Sequence, residues 1–250
     1  MTDVHDAVEK GDLIRLKNLH ENKRFLFRGM CNIAARKGHI DCLKYLHKNG
    51  YPWDVWTSAS AAMYGHIECL KYAHKNGCPW DDMTYNGAAR GGHIECLKYA
   101  HENGCSWSTN TCESAASCSH LDCLKYVHEN GCPWNEETCS RAALTGRLEC
   151  LKYAHENGCP WSTDTCEYAA TNGHLECLKY AHENGCPYPK VLLSTIVKKI
   201  LIPKWRDSVK SRPIVYYWME LSAQTSCAEN GRARIEDMKS FENDCNSMII

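Results

Sequence analysis

Apolar residues recur in this chain at two spacings, one short and one long. The short one is helical. Between residues 66 and 75, Ile67, Leu70 and Ala73 form one stripe while Glu68, Lys71 and Lys75 fall on the other side, which predicts a helix with one buried face. The long one is a register of 27 residues. The cysteine of an E/D-C-L-K-Y string stands at Cys42, Cys69, Cys96, Cys123, Cys150 and Cys177, always 27 apart. Thirteen residues from Leu148, LECLKYAHENGCP, return unchanged from Leu175. A worn copy comes first, with Gly11, Leu13, Leu16, Lys17, Leu19 and His20 standing 27 before Gly38, Ile40, Leu43, Lys44, Leu46 and His47. A fixed period in this range marks stacked supersecondary units, each unable to bury its apolar face alone.

One unit, residues 54–80, reads DVWTSASAAMYGHIECLKYAHKNGCPW. It opens on Asp54, matched in later copies by Asp81, Ser108, Asn135 and Ser162, all residues that cap helix N-termini. Gly65 and its counterparts Gly38, Gly92, Gly146 and Gly173 suit a left-handed helix end. A second helix then runs from His66 to about Lys75 and stops at Asn76-Gly77. Each unit therefore reads as two short antiparallel helices with tight connections. In the first helix the columns of Thr57, Ala61, Ala62 and Gly65 hardly change between copies, whereas those of 55, 56, 59, 60 and 63 vary freely. The two sets lie roughly 200° apart around a helix. This predicts one packing face and one free face.

The string A-A-x-x-G-H-L/I-E-C-L-K-Y-A-H-E-N-G-C-P-W closely resembles the ankyrin repeat, over residues 7–188. The resemblance rests on the paired alanines, the Gly-His turn, the Glu before a small apolar pair and the closing Asn-Gly. It implies an all-α, ankyrin-like solenoid of helix-turn-helix repeats. The unit falls about six residues short of the family's ~33 and lacks the Thr-Pro-Leu-His opening, so reduced or absent β-hairpins are expected. Short Cys- and Trp-rich arrays of this kind look similar to those of giant DNA viruses and some protists. The expected organisation is seven repeats over 1–188 (the first degenerate), a C-terminal helical cap over 189–224 and a flexible tail over 225–250. Residues 190–212 are locally basic, with Lys190, Lys198, Lys199, Lys204, Arg206, Lys210 and Arg212 against Asp207.

Composition narrows the function. With 29 basic and 30 acidic side chains, no global field points to nucleic acid or membrane. No apolar run approaches the roughly 18–20 residues that span a bilayer, and MTDVHDAVEKGD has no secretory apolar core. An intracellular, cytoplasmic protein is expected (host cytoplasm if viral). Eighteen cysteines would suit a disulfide scaffold, but those belong mainly to short chains. Recurring in repeat register, these read as small packing residues. His101 and Cys105 have H-x₃-C spacing, yet no C-x₂-C pair exists and zinc needs a tetrahedral set. No metal and no cofactor is expected. The column of Trp53, Trp80, Trp107, Trp134 and Trp161 has the aromatic content of a single-strand stacking platform but no basic face beside it, and reads as packing between units. The column of His47, His74, His101, His128, His155 and His182 sits where a helix dipole favours positive charge. No phosphate loop, nucleophile elbow or metalloprotease motif is present, so no enzyme is expected.

The function expected is a non-enzymatic, monomeric scaffold binding a protein partner along the variable face of the first helices. Its candidate contacts are Val55, Trp56, Met63, Met83, Arg90, Asn110, Glu136, Glu137, Leu144, Asp164 and Glu167. Arg28 and Arg36 lie at one end and the acidic residues at the other, which suits a partner with a basic segment. A structural or assembly component, for example of a viral particle, is the alternative, and a helical-repeat nucleic-acid binder comes third.

Overall fold

A computed structural model describes residues 2–22 and 28–187. The cap and tail expected over 189–250 lie outside the described residues. The chain divides into two compact units, Met1–Trp161 and Ser162–Ile250. Among the described residues there are fourteen helices and no strand, so no hairpin finger stands between repeats.

In the first unit the helices come in pairs: α1 Thr2–Lys10 with α2 Leu13–Asn22, α3 Met30–Lys37 with α4 Ile40–Lys48, and α5 Val55–Met63 with α6 Ile67–Lys75. The pairs continue with α7 Asp82–Gly91 and α8 Ile94–Glu102, α9 Thr109–Ser117 and α10 Leu121–Glu129, and α11 Glu136–Leu144 and α12 Leu148–Glu156. The described part of the second unit holds α13 Thr163–Thr171 packed on α14 Leu175–Glu183. Within the first unit each first helix packs on the next first helix and on its own second helix. This is the architecture of an ankyrin-like helical solenoid.

The helix starts follow from their capping residues. Asp54 Oδ1 accepts from Trp56 N at 3.1 Å, Asp81 Oδ1 from Met83 N at 3.0 Å, and Asn135 Oδ1 from Glu137 N at 3.1 Å. Asp54 and Ser108 complete capping boxes in which Thr57 and Thr111, three residues on, return a bond to the capping residue's backbone. The constant Thr column is thus explained by two jobs, since Thr57, Thr84, Thr111, Thr138 and Thr165 are also fully buried. Paired alanines behind them, Ala61–Ala62 through Ala142–Ala143, are fully buried, as are Leu43, Leu70, Leu97, Leu124 and Leu151 of the second helices. Each such leucine contributes about 1.5–3 kcal/mol of hydrophobic burial. Within the first unit, alanine on the first helix lets the next repeat's first helix approach closely.

The turn between the two helices carries a clip to the preceding repeat. His66 Nε2 meets the Arg36 carbonyl at 3.0 Å and His120 Nε2 meets the Arg90 carbonyl at 3.0 Å. Each ring lies flat on the previous turn's glycine: a Cβ at Gly38 would stand 2.5 Å from His66 Nδ1. Glycine is needed there for its positive φ, 75° at Gly38, and for the absence of a side chain.

A second clip runs along the second helices. His47 Nδ1 lies 2.9 Å from the Tyr72 hydroxyl one repeat on, and His74–Tyr99, His101–Tyr126 and His128–Tyr153 repeat the bond at 2.9–3.0 Å. The tryptophans complete it. Trp53 stacks on His47 at 3.7 Å and Trp134 on His128 at 3.7 Å, each edge-on to the next repeat's tyrosine. They bridge repeats as expected, but they are half-buried and stand outside the fully buried core. The fully buried column is filled by leucine, and the indoles pack on the histidine and tyrosine of the clip.

Candidate functional site

The variable face is built on α5, α7, α9 and α11, with the capped ends of these helices presenting the first two positions of each. On α5, Trp56 is 53% exposed and Tyr64, two turns along the same side, is 48% exposed. Val55 and Met63 flank them half-buried. On α7, Met83 is half-buried and Arg90 exposed. Between them Gly87 leaves bare backbone, where a Cβ would stand 2.9 Å from the Ala59 carbonyl oxygen and 3.3 Å from Met63 Cβ. Asn110 on α9 is exposed. On α11, Glu136 is exposed, while Glu137 and Leu144 are half-buried.

The charge on this face is shaped by local pairing. Arg141 lies one turn from Glu137, 3.6 Å from its carboxylate, and leaves Glu136 toward solvent. Burial pushes the carboxyl of Glu113 above its ordinary range, Glu137 beside it adds to the effect, and Arg141 opposes it. The α9–α11 surface is therefore a cluster of three carboxylates served by one guanidinium. At the other end, Arg36 bonds Glu9 at 3.3 Å and Arg28 is exposed. Asp164 and Glu167 belong to the second unit, where α13 leaves the first half-buried and the second exposed.

Column 59 departs from the expectation of a free position. Ala59 is 7% exposed and Ser140 1%. Neighbouring first helices lean on each other along this line: Thr111 Oγ1 donates to Asn86 Oδ1 at 2.7 Å across one such contact. Its variation reflects local repacking between repeats and not solvent freedom. Columns 56 and 63 keep their open character. Two residues were missed. Tyr64, the residue that caps the end of α5, follows Trp56 by eight, a spacing that keeps both on one side of a helix. Glu113 was not among the candidate contacts, since its half-buried place beside Glu137 is not written in a residue's identity.

The opposite side is uniform and self-paired. Lys71, Lys98 and Lys152 bond the glutamate three residues earlier at 3.1–3.4 Å. Where that residue is the shorter Asp41 or Asp122, the lysine instead lies over the next repeat's tyrosine, Lys44 at 6.0 Å from the Tyr72 ring centre and Lys125 at 5.7 Å from Tyr153. Several of the core thiols are quiet. Burial pushes Cys31 and Cys123 up to about 12 and Cys69 to about 11, which suppresses the reactive thiolate. Among the described residues no three His, Cys, Asp or Glu side chains gather to hold a metal ion, and no helix is long and apolar enough to cross a membrane.

The fold is that of an all-α, ankyrin-like helical solenoid. Comparison with known proteins agrees: residues 58–101 match the family model of ankyrin repeats (many copies). The crystal structure of the human ASB11 ankyrin repeat domain is similar in fold, with a TM-score of 0.53 at 19% sequence identity, covering 63% of this chain and 84% of that one. No curated protein matches the chain. Ankyrin repeats are protein-interaction modules.

Proposed function

We propose that this chain is a non-enzymatic scaffold that captures a protein partner across the first-helix face of its first unit. Trp56 is the apolar anchor, with Tyr64, Val55, Met63 and Met83 around it. Arg90 and Asn110 lie along the path, and Leu144 adds apolar surface beside the acidic cluster. Glu136 and Glu137 receive a basic segment of the partner. Asp164 and Glu167 on α13 are proposed, by themselves, as further acceptors for basic side chains.

The observation that carries this reading is the exposure of Trp56, at 53%. An indole left open beside a second exposed aromatic and two methionines has the composition of an interface core, where aromatic and methionine residues are enriched. Carboxylates at one end steer a basic partner and govern association rate more than residence time. Nucleic acid is not the expected ligand. The repeated tryptophans Trp53, Trp80, Trp134 and Trp161 each have one ring face covered by a histidine at 3.7–3.8 Å, and are spoken for as stacking surfaces.

Site-specific photo-cross-linking in the native cell tests the face. A benzophenone amino acid in place of Trp56 or Met83 is expected to trap a discrete partner, and one in place of Glu68 or Lys75 to trap none. Trapping from the second-helix positions alone would overturn the assignment.

A further inference from the structure

The cysteines fall into columns, and two of those columns meet. In each repeat from the second onward, a first-helix residue touches the turn residue that closes the same repeat, 20 positions later. The pairs are Cys31 with Tyr51, Ser58 with Cys78, and Cys112, Cys139 and Cys166 with Cys132, Cys159 and Cys186. At the fourth repeat the same two positions hold Tyr85 and Cys105. The approach is close. Ser58 Oγ donates to Cys78 Sγ at 3.4 Å. At the equivalent positions Cys112 interacts with Cys132 and Cys166 with Cys186 through their side chains, while Cys139 Sγ reaches the Cys159 carbonyl at 4.0 Å. One partner differs from cysteine in the second to fourth repeats. Both are cysteine in the fifth to seventh.

We propose that Cys112–Cys132, Cys139–Cys159 and Cys166–Cys186 are three reversible disulfide sites, each closing within a single repeat by exchange with a low-molecular-weight disulfide of the glutathione kind. Each pair lies inside one compact unit, so closure needs no movement of one unit against the other. A disulfide requires neighbouring Cβ atoms, and each pair occupies the two positions that the third repeat brings together, where Ser58 Oγ lies 3.4 Å from Cys78 Sγ. The thiols of Cys42, Cys69, Cys96, Cys123, Cys150 and Cys177, by contrast, stand one per repeat in the second-helix core.

The chemistry divides between the two members. The helix thiol's hydrogen bond pulls Cys132 and Cys186 below the ordinary thiol range, against the effect of burial. A lowered pKa marks the thiol that ionises and attacks first. Exposed residues flank these turn cysteines, Gly131 and Pro133 at one and Gly185 and Pro187 at the other, so a local opening of the turn presents the sulfur. Its thiolate attacks one sulfur of the small disulfide and expels one small thiolate. The helix cysteine, losing its proton, then attacks the turn sulfur of the mixed disulfide and expels the second. Two protein thiols lose two electrons, the small disulfide becomes two thiols, and the two protons end on these. The new bond ties the closing turn of a repeat to its own first helix.

The full chain, native and in oxidised glutathione, tests the proposal by alkylation, digestion and mass mapping. Cross-linked peptides joining 112 to 132, 139 to 159 and 166 to 186 are expected, with Cys42, Cys69, Cys96, Cys123, Cys150 and Cys177 alkylated. Cys112→Ser recreates the Ser–Cys combination the third repeat already carries, so it should fold and lose the first cross-link alone. Ser58→Cys should add a fourth, to Cys78. The proposal is overturned if Cys112, Cys132, Cys139, Cys159, Cys166 and Cys186 stay free, if glutathione remains as a mixed disulfide without closure, if the cysteines pair at random, or if the same bonds form only in urea.

Discussion

Trp56 and Trp134 are both tryptophans at the edge of the first unit, and they do opposite things. Trp134 lies flat on His128 at 3.7 Å and edge-on to Tyr153 of the next repeat at 6.3 Å. Its column holds tryptophan in five successive repeats. Trp56 is the second residue of α5, its backbone N–H held by Asp54 and its indole more than half in solvent. Its column changes to Met83, Asn110, Glu137 and Asp164 in the repeats that follow. Where a side chain must fit two nearly identical neighbours, every repeat keeps the same one. Where it meets only solvent or a partner, nothing inside the array restrains it. Uniform columns are the frame of this protein, and varied, exposed ones are its face.

The sharpest way to break that frame is at the turn clip. Gly92→Ser puts a Cβ into the ring of His120 and forces a serine to positive φ. Overpacking of about 1–3 kcal/mol adds to left-handed strain of about 1–2 kcal/mol. A loss of roughly 2–5 kcal/mol is expected in chemical denaturation.

The chain itself contains the escape from that clash. Among the described residues Ser119 is the non-glycine residue with positive φ, at 69°, and the residue opposite it one repeat on is Arg147 where the other turns from the second repeat on have histidine. Arg147 Nε donates to the Ser117 carbonyl at 3.4 Å, making the same bond as the histidine with a longer side chain that clears the serine Cβ. The two departures are one coupled change. Arg147→His alone should destabilise by about 1–3 kcal/mol, the cost of an overpacked contact. Together with Ser119→Gly it should recover, and a double-mutant cycle should show coupling well above the ~0.5 kcal/mol of independent sites. Ser119→Gly alone relieves left-handed strain and should stabilise by about 1 kcal/mol. Equal effects of Arg147→His with and without Ser119→Gly would show that the two positions are unrelated.

Tyr85 sharpens the comparison from inside. It is fully buried, and its hydroxyl has no hydrogen-bond partner among the described residues. A buried polar group left unpaired costs about 1–3 kcal/mol. Tyr85→Phe should therefore raise the melting temperature slightly or leave it unchanged, and a clear drop would mean the hydroxyl is bonded.

The smallest effect expected is with pH. Burial holds the imidazoles of His47 and His93 below their ordinary range, with His120 and His66 adding to the effect at His93. A histidine whose folded pKa is depressed supports the fold above its unfolded value near 6.5. That contribution is lost as pH falls through the unfolded value toward the folded one. Melting temperature should fall by a few degrees between pH 7.5 and 5.5, and a rise would reverse the assigned sign.

Much of this frame is readable from residues alone. Asp54, Thr57, Gly65 and Leu70 each answer a local demand of helix start, cap, turn or core, and each recurs where that demand recurs. The partnerships between columns are not readable so directly. His47 meets Tyr72, and Cys112 meets Cys132, only because helix pairs stack with a given offset, which no single repeat specifies. Column 59 shows the converse: Ala59, Asn86, Glu113 and Ser140 differ as a binding column would, yet Ala59 and Ser140 are buried because neighbouring first helices close over them. Variation alone therefore does not mark a face, and it has to be joined to exposure. The face at Trp56 rests on both.

That distinction is tested most directly by comparing Trp56→Ala and Trp134→Ala in the same two assays, thermal melting and capture of the partner trapped by photo-cross-linking. Trp134→Ala should cost about 2–3 kcal/mol of stability, less than the ~3–5 of a fully buried aromatic, with capture intact below its melting point. Trp56→Ala should leave melting unchanged and weaken capture by about 2 kcal/mol or more, the mark of a hot spot. If Trp56→Ala binds normally, or if it unfolds the array while Trp134→Ala alone loses the partner, the division into frame and face is contradicted.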